Sequence, residues 1–192
     1  LSEGKLDPTL IVGGLVQNLD TNSKLGNGDL IVVEADEYDK SFLQIKPTIA
    51  IITNIEKEHM DCYENLNDLI SSFVQFANSV PFYGALIACI DSPEVQKMLH
   101  LVKRPITTYG LSLQAEISAK NIKYHGENTS YSLYKNNKTN ETKIGYRFIF
   151  QSKSRTLTDI EVNKEISRIR LLKNFSRLVR RKPKQVIFVS VL

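Results

Sequence analysis

Two short stretches hold the residues with the most chemistry in this chain of 192 residues. Glu34, Asp36, Glu37 and Asp39 place four carboxylates within six positions, in the run Glu34-Ala35-Asp36-Glu37-Tyr38-Asp39. Carboxylates so close repel one another unless a cation neutralises them. Hard oxygen donors suit Mg²⁺, which keeps several waters and takes one or two carboxylates together with substrate phosphates. The competing reading is a solvated acidic loop, and composition alone favours it. The second stretch is Asn54-Ile55-Glu56-Lys57-Glu58-His59-Met60-Asp61. His59 lies there in a polar turn, where Glu58 or Asp61 can orient or charge it, although a surface or packing role is the commoner fate of a single histidine. Cys62 adds a soft donor beside His59, but no second Cys/His pair stands at zinc spacing, so zinc is rejected.

These stretches must be positioned by the elements around them. Leu30-Ile31-Val32-Val33 is a continuous apolar run after the turn signal Gly26-Asn27-Gly28-Asp29 and reads as a buried strand. Thr48 to Thr53 is a second, with Pro47 admissible at its entrance. Gly84 to Ile90 and Pro105 to Gly110 are a third and a fourth. Apolar residues at 66, 69, 70, 73, 74, 76, 77 and 80 have helical spacing; Asn65 or Asn67 caps that helix and Pro81 stops it. Asp91-Ser92-Pro93-Glu94 opens a short helix to Leu99, with Pro93 in the tolerated first turn. Strands apolar throughout and separated by helices predict an α/β fold, a mostly parallel sheet with helices on both faces. Chemistry in such sheets sits beyond the carboxyl ends of the strands, and both polar stretches fall there. Around Gly126-Glu127-Asn128 the alternating residues Ile117, Ala119, Ile122 and Tyr131, Leu133, Tyr134 predict a β-hairpin, followed by a polar loop from Asn136 to Thr142.

Composition narrows the class. With 42% hydrophobic and 24% charged residues the chain is neither collagen-like nor wholly disordered. Its apolar runs, such as Ile49 to Ile52, fall far short of the ~20 residues that span a bilayer. No basic-then-apolar leader opens the chain. Two cysteines, Cys62 and Cys89, give neither a disulfide framework nor a metal cluster. The expectation is a cytoplasmic protein with free thiols. The net charge of +4 hides an asymmetry: residues 1–150 carry 14 Lys+Arg against 18 Asp+Glu, whereas residues 151–192 carry 11 against 3.

Four blocks then carry a resemblance. Leu6-Asp7-Pro8-Thr9-Leu10-Ile11-Val12-Gly13-Gly14, the run from Glu34 to Leu43, Thr53 to Asp61, and Pro81-Phe82-Tyr83-Gly84 occur in an order and at separations that closely resemble the central, ATP-binding domain of the Mur ligases of peptidoglycan synthesis. The resemblance covers about residues 5 to 125. Within the family it fits best the branch that joins L-alanine to UDP-N-acetylmuramate. The branch that reattaches a recycled murein tripeptide shares the acidic block, including a Tyr at the position of Tyr38, and fits the later blocks less well. The resemblance implies ATP as co-substrate, Mg²⁺ as cofactor, an acyl phosphate intermediate, and a place in cell-wall biogenesis and so in cell shape and division. By motif match, Glu34 is the Mg²⁺ carboxylate near the β- and γ-phosphates, His59 holds a second Mg²⁺ beside the acyl phosphate, and Asn54 lines the same site. Asp36 and Asp61 are weaker candidates, the latter as an orienting partner of the His59 ring.

The chain also departs from that pattern. No Gly-x-x-x-x-Gly-Lys-Ser/Thr run occurs in it, so no phosphate-binding loop is assigned. Asp20 stands where the family usually has Gly. The expected division is a partial central domain over residues 1–150 and a basic tail unlike the family over residues 151–192. Three readings of the tail compete: a shifted reading frame after about residue 148, an amphipathic helix through Ile166, Ile169, Leu172 and Leu178, and a nucleic-acid-binding appendage through Arg177 to Lys184. The first is preferred. Without a phosphate-binding loop and the substrate-binding domains of the family, the chain is expected to be a truncated, inactive fragment; a non-catalytic nucleic-acid-binding module is the alternative from a different class.

Overall fold

The computed structural model describes residues 1–16, 19–57, 60–125, 128–136, 141–143 and 185–190. Among them are ten strands: β1 (Thr9–Val16), β2 (Thr21–Lys24), β3 (Leu30–Ala35), β4 (Ile49–Ile52), β5 (Ala85–Cys89), β6 (Ile106–Gly110), β7 (Ile117–His125), β8 (Asn128–Asn136), β9 (Glu141–Lys143) and β10 (Gln185–Ser190). Two α-helices accompany them, α1 (Leu66–Ser79) and α2 (Pro93–Met98). One sheet holds all ten strands in the order β2-β1-β3-β10-β4-β5-β6-β7-β8-β9. From β1 through β7 the pairing is parallel throughout. The antiparallel pairs are confined to the two margins, β1 with β2, β7 with β8 and β8 with β9.

The parallel centre follows from the apolar runs. Every residue of β4 and β5 is buried, as expected of strands covered on both faces. Side chains alternate between the faces. Ile49, Ile51, Ile87 and Cys89 join one core cluster with Tyr109 and the hairpin residues Tyr131 and Leu133. Ala50, Ile52, Leu86 and Ala88 join the other, which also takes Leu69, Phe73, Phe76 and Ala77 of α1 and Val95 and Met98 of α2. Asn65 caps α1: its side-chain oxygen accepts the backbone N–H groups of Asn67 and Asp68 at 2.9 and 3.1 Å. Ser92 does the same for α2, accepting the N–H of Val95 at 3.4 Å. No helix among the described residues is long and apolar enough to cross a membrane.

The margins differ from expectation in three places. Thr9 to Lys24 is a β-hairpin at the sheet edge, which the sequence pattern does not announce. Gly13 and Gly14 interrupt its first strand, and Ile11 and Leu15 are exposed, so no buried alternation appears. The expected polar loop from Asn136 to Thr142 instead begins in β8 and ends in β9, with Asn136 opposite Glu141. The β7–β8 hairpin is longer than its apolar residues suggest and carries a bulge between Lys120 and Lys123, where Asn121 takes φ 54°. The helical spacing from Ile166 to Leu178 and the basic run from Arg177 fall outside the described residues. Within the tail, Gln185–Ser190 is a central strand of the sheet.

Candidate functional site

The carboxyl ends of β3 and β4 carry the two polar stretches and lie on either side of β10, whose Ser190 is level with both Ala35 and Ile52. β3 and β4 follow one another in the chain and stand on either side of β10, so the two polar stretches face each other beyond the carboxyl ends of the strands, where ligands bind in such sheets. Glu34 and Asp36 stand on one side of the crevice and Asn54 on the other.

The four clustered carboxylates are sent to different places. Glu34, half-buried at the end of β3, accepts the backbone N–H of Gly13 on the neighbouring strand, at 2.8 Å to Oε2. Asp36 turns back on its own loop and accepts the N–H of Tyr38 at 2.9 Å. Asp39 likewise accepts the N–H of Ser41 at 3.0 Å. These are Asx turns, which shape the loop from within. Glu37 points inward and is only 2% exposed, with its backbone carbonyl accepting the Tyr63 hydroxyl at 2.5 Å.

The loop is also clamped from outside. Asp39 and Lys40 adopt left-handed φ values of 53° and 62°, conformations that L-residues hold only when their surroundings enforce them. Lys40 Nζ pairs with Asp68 of α1 at 2.9 Å and lies 5.0 Å from the centre of the Tyr63 ring. Two residues on, Phe42 is fully buried, its ring 5.2 Å from Phe73 and 5.1 Å from Phe76. The Lys40 hydrogen bond holds the Asp68 carboxyl below its ordinary value. Burial first, and then the nearby Glu37 carboxylate, push the Tyr63 hydroxyl well above its own. A charged, strained loop is thereby anchored to a capped helix through one ion pair and one aromatic plug.

On the other side of the crevice, the Asn54 side-chain amide donates to Glu56, and Asp61 is exposed. His59 and Glu58 lie outside the described residues. Cys62 is half-buried and Cys89 buried, both as free thiols. Among the described residues no three His, Cys, Asp or Glu side chains converge on one point. Mg²⁺ needs only one or two carboxylates, with waters and phosphates completing its shell. Glu34 offers a hard oxygen donor with one lone pair already used by Gly13, leaving capacity for a cation.

Sequence reasoning missed the Gly13 amide, the Lys40–Asp68 pair and the Phe42 plug. The signals were present but mute: a Gly-Gly pair inside an apolar run marks close backbone approach, yet nothing local says to what. The departure at Asp20 does find an explanation. Its φ is 49°, a left-handed turn conformation that Gly adopts freely and that Asp tolerates better than most residues.

Comparison with known proteins agrees with this geometry. The Mur ligase middle domain family matches residues 14–170. A UDP-N-acetylmuramate–L-alanine ligase of Myxococcus xanthus is 50% identical over 135 residues, 70% of this chain and 29% of that protein. The chain thus spans less than a third of the length of such curated relatives. A solved UDP-N-acetylmuramate-alanine ligase from Thermotoga maritima shares the fold with a TM-score of 0.66 at 20% identity, over 92% of this chain and 37% of that one. A MurF ligase of Thermotoga maritima, solved in complex with ADP, shares it with a TM-score of 0.62 at 11% identity, over 92% and 41%. With its parallel sheet, its acidic strand end and a family match over most of its length, this chain belongs to the Mur ligases, and what it carries is sequence of their middle domain.

Proposed function

We propose that this domain serves an ATP-dependent ligase that joins L-alanine to UDP-N-acetylmuramate in the cytoplasmic synthesis of peptidoglycan precursors. The observation that carries the reading is the 50% identity over 135 residues to a relative of that name. In the proposed reaction the lactyl carboxylate attacks the γ-phosphorus of ATP, and ADP leaves. The amino group of L-alanine then attacks the acyl carbon, the C–O bond to phosphate breaks, and an amide and inorganic phosphate result. Phosphoryl transfer of this kind depends on positioning and charge neutralisation more than on covalent help from the protein. Mg²⁺, when bound, supplies that neutralisation.

The residues of this chain then have separable tasks. Glu34 holds a cation with the carboxylate that Gly13 orients. His59 is assigned a second cation, and Asn54 the lining of the same site. Asp36 shapes the loop, and Asp61 is assigned the orientation of His59. Residues 1–150 are proposed as part of the ATP-binding domain. The test is a transplant: residues 5–125 of this chain replace the matching segment of the Myxococcus xanthus relative, and ADP release is followed with Mg-ATP and UDP-N-acetylmuramate. Release that requires L-alanine and is lost in His59→Ala supports the reading. Release driven by the tripeptide L-Ala-D-Glu-meso-diaminopimelate, but not by L-alanine, overturns it in favour of recycling.

A further inference from the structure

The arc of chain between β4 and α1 is held at two points. Among the described residues between Ile52 and Leu69, only Ile55 and Tyr63 are buried. The stretch between those two anchors includes His59 and Asp61, and its residues Glu56, Lys57, Met60 and Asp61 are exposed. Ile55 follows directly on β4, so the sheet accounts for its place. Tyr63 lies beyond the arc, just ahead of the α1 cap Asn65, and a tyrosine buried there needs a partner for its hydroxyl.

The acidic loop supplies that partner. The Tyr63 hydroxyl donates to the Glu37 carbonyl oxygen at 2.5 Å, and Lys40 Nζ lies 5.0 Å from the centre of the Tyr63 ring. Lys40 also reaches Asp68 Oδ2 at 2.9 Å, and the same oxygen accepts the Glu64 N–H at 3.3 Å. A third contact lies alongside. The Cys62 thiol, and then the Asp61 carboxylate, hold the Tyr38 hydroxyl above its ordinary value, so the side chains of Tyr38 and Cys62 are neighbours. The acidic loop leaves β3 and the arc leaves β4, with β10 between them. At ~4.8 Å per strand their axes stand about 10 Å apart. Beyond the strand ends, these contacts join two loops that the sheet holds apart.

We propose that Tyr63 and Lys40 are positioning residues of the crevice: they fasten the far end of the arc that carries His59 to the acidic loop, so that both sides of the crevice contribute to holding divalent cations. This role rests on the cation reading given to Glu34 above, and neither residue touches the cation. For Lys40 the sign of the effect is diagnostic. An ammonium beside an acidic crevice repels a divalent cation, so Coulomb's law alone predicts tighter cation binding once the charge is removed. Loss of positioning predicts weaker binding.

Titration of the full chain with Mn²⁺ alone, with the free ion followed by electron paramagnetic resonance, tests it. Lys40→Met keeps the apolar stem and removes the charge; Tyr63→Phe keeps the ring and removes the hydroxyl. Each is expected to weaken Mn²⁺ binding by roughly tenfold, the lower end of what groups supporting a metal site contribute. A merely structural role would lower the urea midpoint and leave the Mn²⁺ affinity of the folded chain unmoved. Tighter or unchanged binding in Lys40→Met overturns the proposal, as does unchanged binding in Tyr63→Phe. Should Tyr63→Phe fail to fold, Lys40→Met, at a half-exposed position, decides alone. Glu34→Gln separates the two layers, since it is expected to abolish uptake. Uptake lost in Glu34→Gln but unaltered in the other two variants removes the positioning role and leaves the cation reading standing. A parent chain that takes up no Mn²⁺, or the same amount with Glu34→Gln, sinks the cation reading and the positioning role with it.

Discussion

Gly13 and Glu34 are joined across two neighbouring parallel strands, the backbone N–H of one donating to Oε2 of the other at 2.8 Å. Of the four carboxylates in the acidic run, the contact fixes the direction of the one that stands within a strand and is turned away from its own loop. Glu34→Gln retains an oxygen acceptor for Gly13, so its folding stability in urea is expected to stay within about 1 kcal/mol of the parent. In the transplanted ligase the same change is expected to lower kcat by roughly 100-fold or more, the scale on which removal of an electrostatic stabiliser acts. A fall in stability with unaltered kcat would make Glu34 a structural residue only.

Phe42 ties the acidic loop to α1 by burial alone. Phe42→Ala removes a fully buried ring that contacts two others, and a loss of about 3–5 kcal/mol is expected. The urea midpoint reads it directly. The preserved Lys40–Asp68 pair would not compensate, because half-exposed ion pairs contribute little.

That pair nevertheless has a pH signature. Asp68 titrates below the ordinary 3.8, first because Lys40 hydrogen-bonds its charged form. A carboxyl depressed on folding adds stability above its unfolded value, and the contribution disappears as pH falls through the folded value. Asp68→Asn is therefore expected to melt below the parent by a constant margin above pH 3.8, and the margin should close in more acidic buffer. Differential scanning calorimetry across that range checks it, and a margin that widens in acid contradicts the assignment.

Two positions test backbone conformation with opposite signs. A Cβ on Gly84 would lie 2.0 Å from the Thr48 carbonyl oxygen, at the point where β5 starts beside β4. Gly84→Ala is expected to cost about 1–3 kcal/mol, the range for overpacking. Asp20, held at φ 49°, should do the reverse: Asp20→Gly is expected to gain about 0.5 kcal/mol, relief of left-handed strain outweighing the entropy of glycine. Chemical denaturation of both variants settles the signs.

Much of this architecture is legible along the chain. The apolar runs of β3, β4, β5 and β6, the helical spacing of α1, its cap Asn65 and the Asp91–Glu94 opening of α2 are local patterns, and each element forms where its pattern stands. The position of the acidic loop beyond a strand end follows from the same patterns. The β1–β2 hairpin stayed hidden because its strands are largely exposed and so carry no hydrophobic alternation. Chemistry also misled in one respect: four neighbouring carboxylates suggested one cluster, whereas Asx turns and burial give Asp36, Asp39 and Glu37 separate duties.

Local residue order determined the elements, their caps, the family blocks and the strand ends where polar groups collect, because periodicity and turn chemistry act over a few residues. Tertiary structure decided which backbone amide meets Glu34, which lysine meets Asp68, and which segment lies between β3 and β4. Those are pairings over 21, 28 and more than 130 positions. They exist only once a parallel sheet has brought distant strands side by side, since a parallel neighbour is never the next stretch of chain.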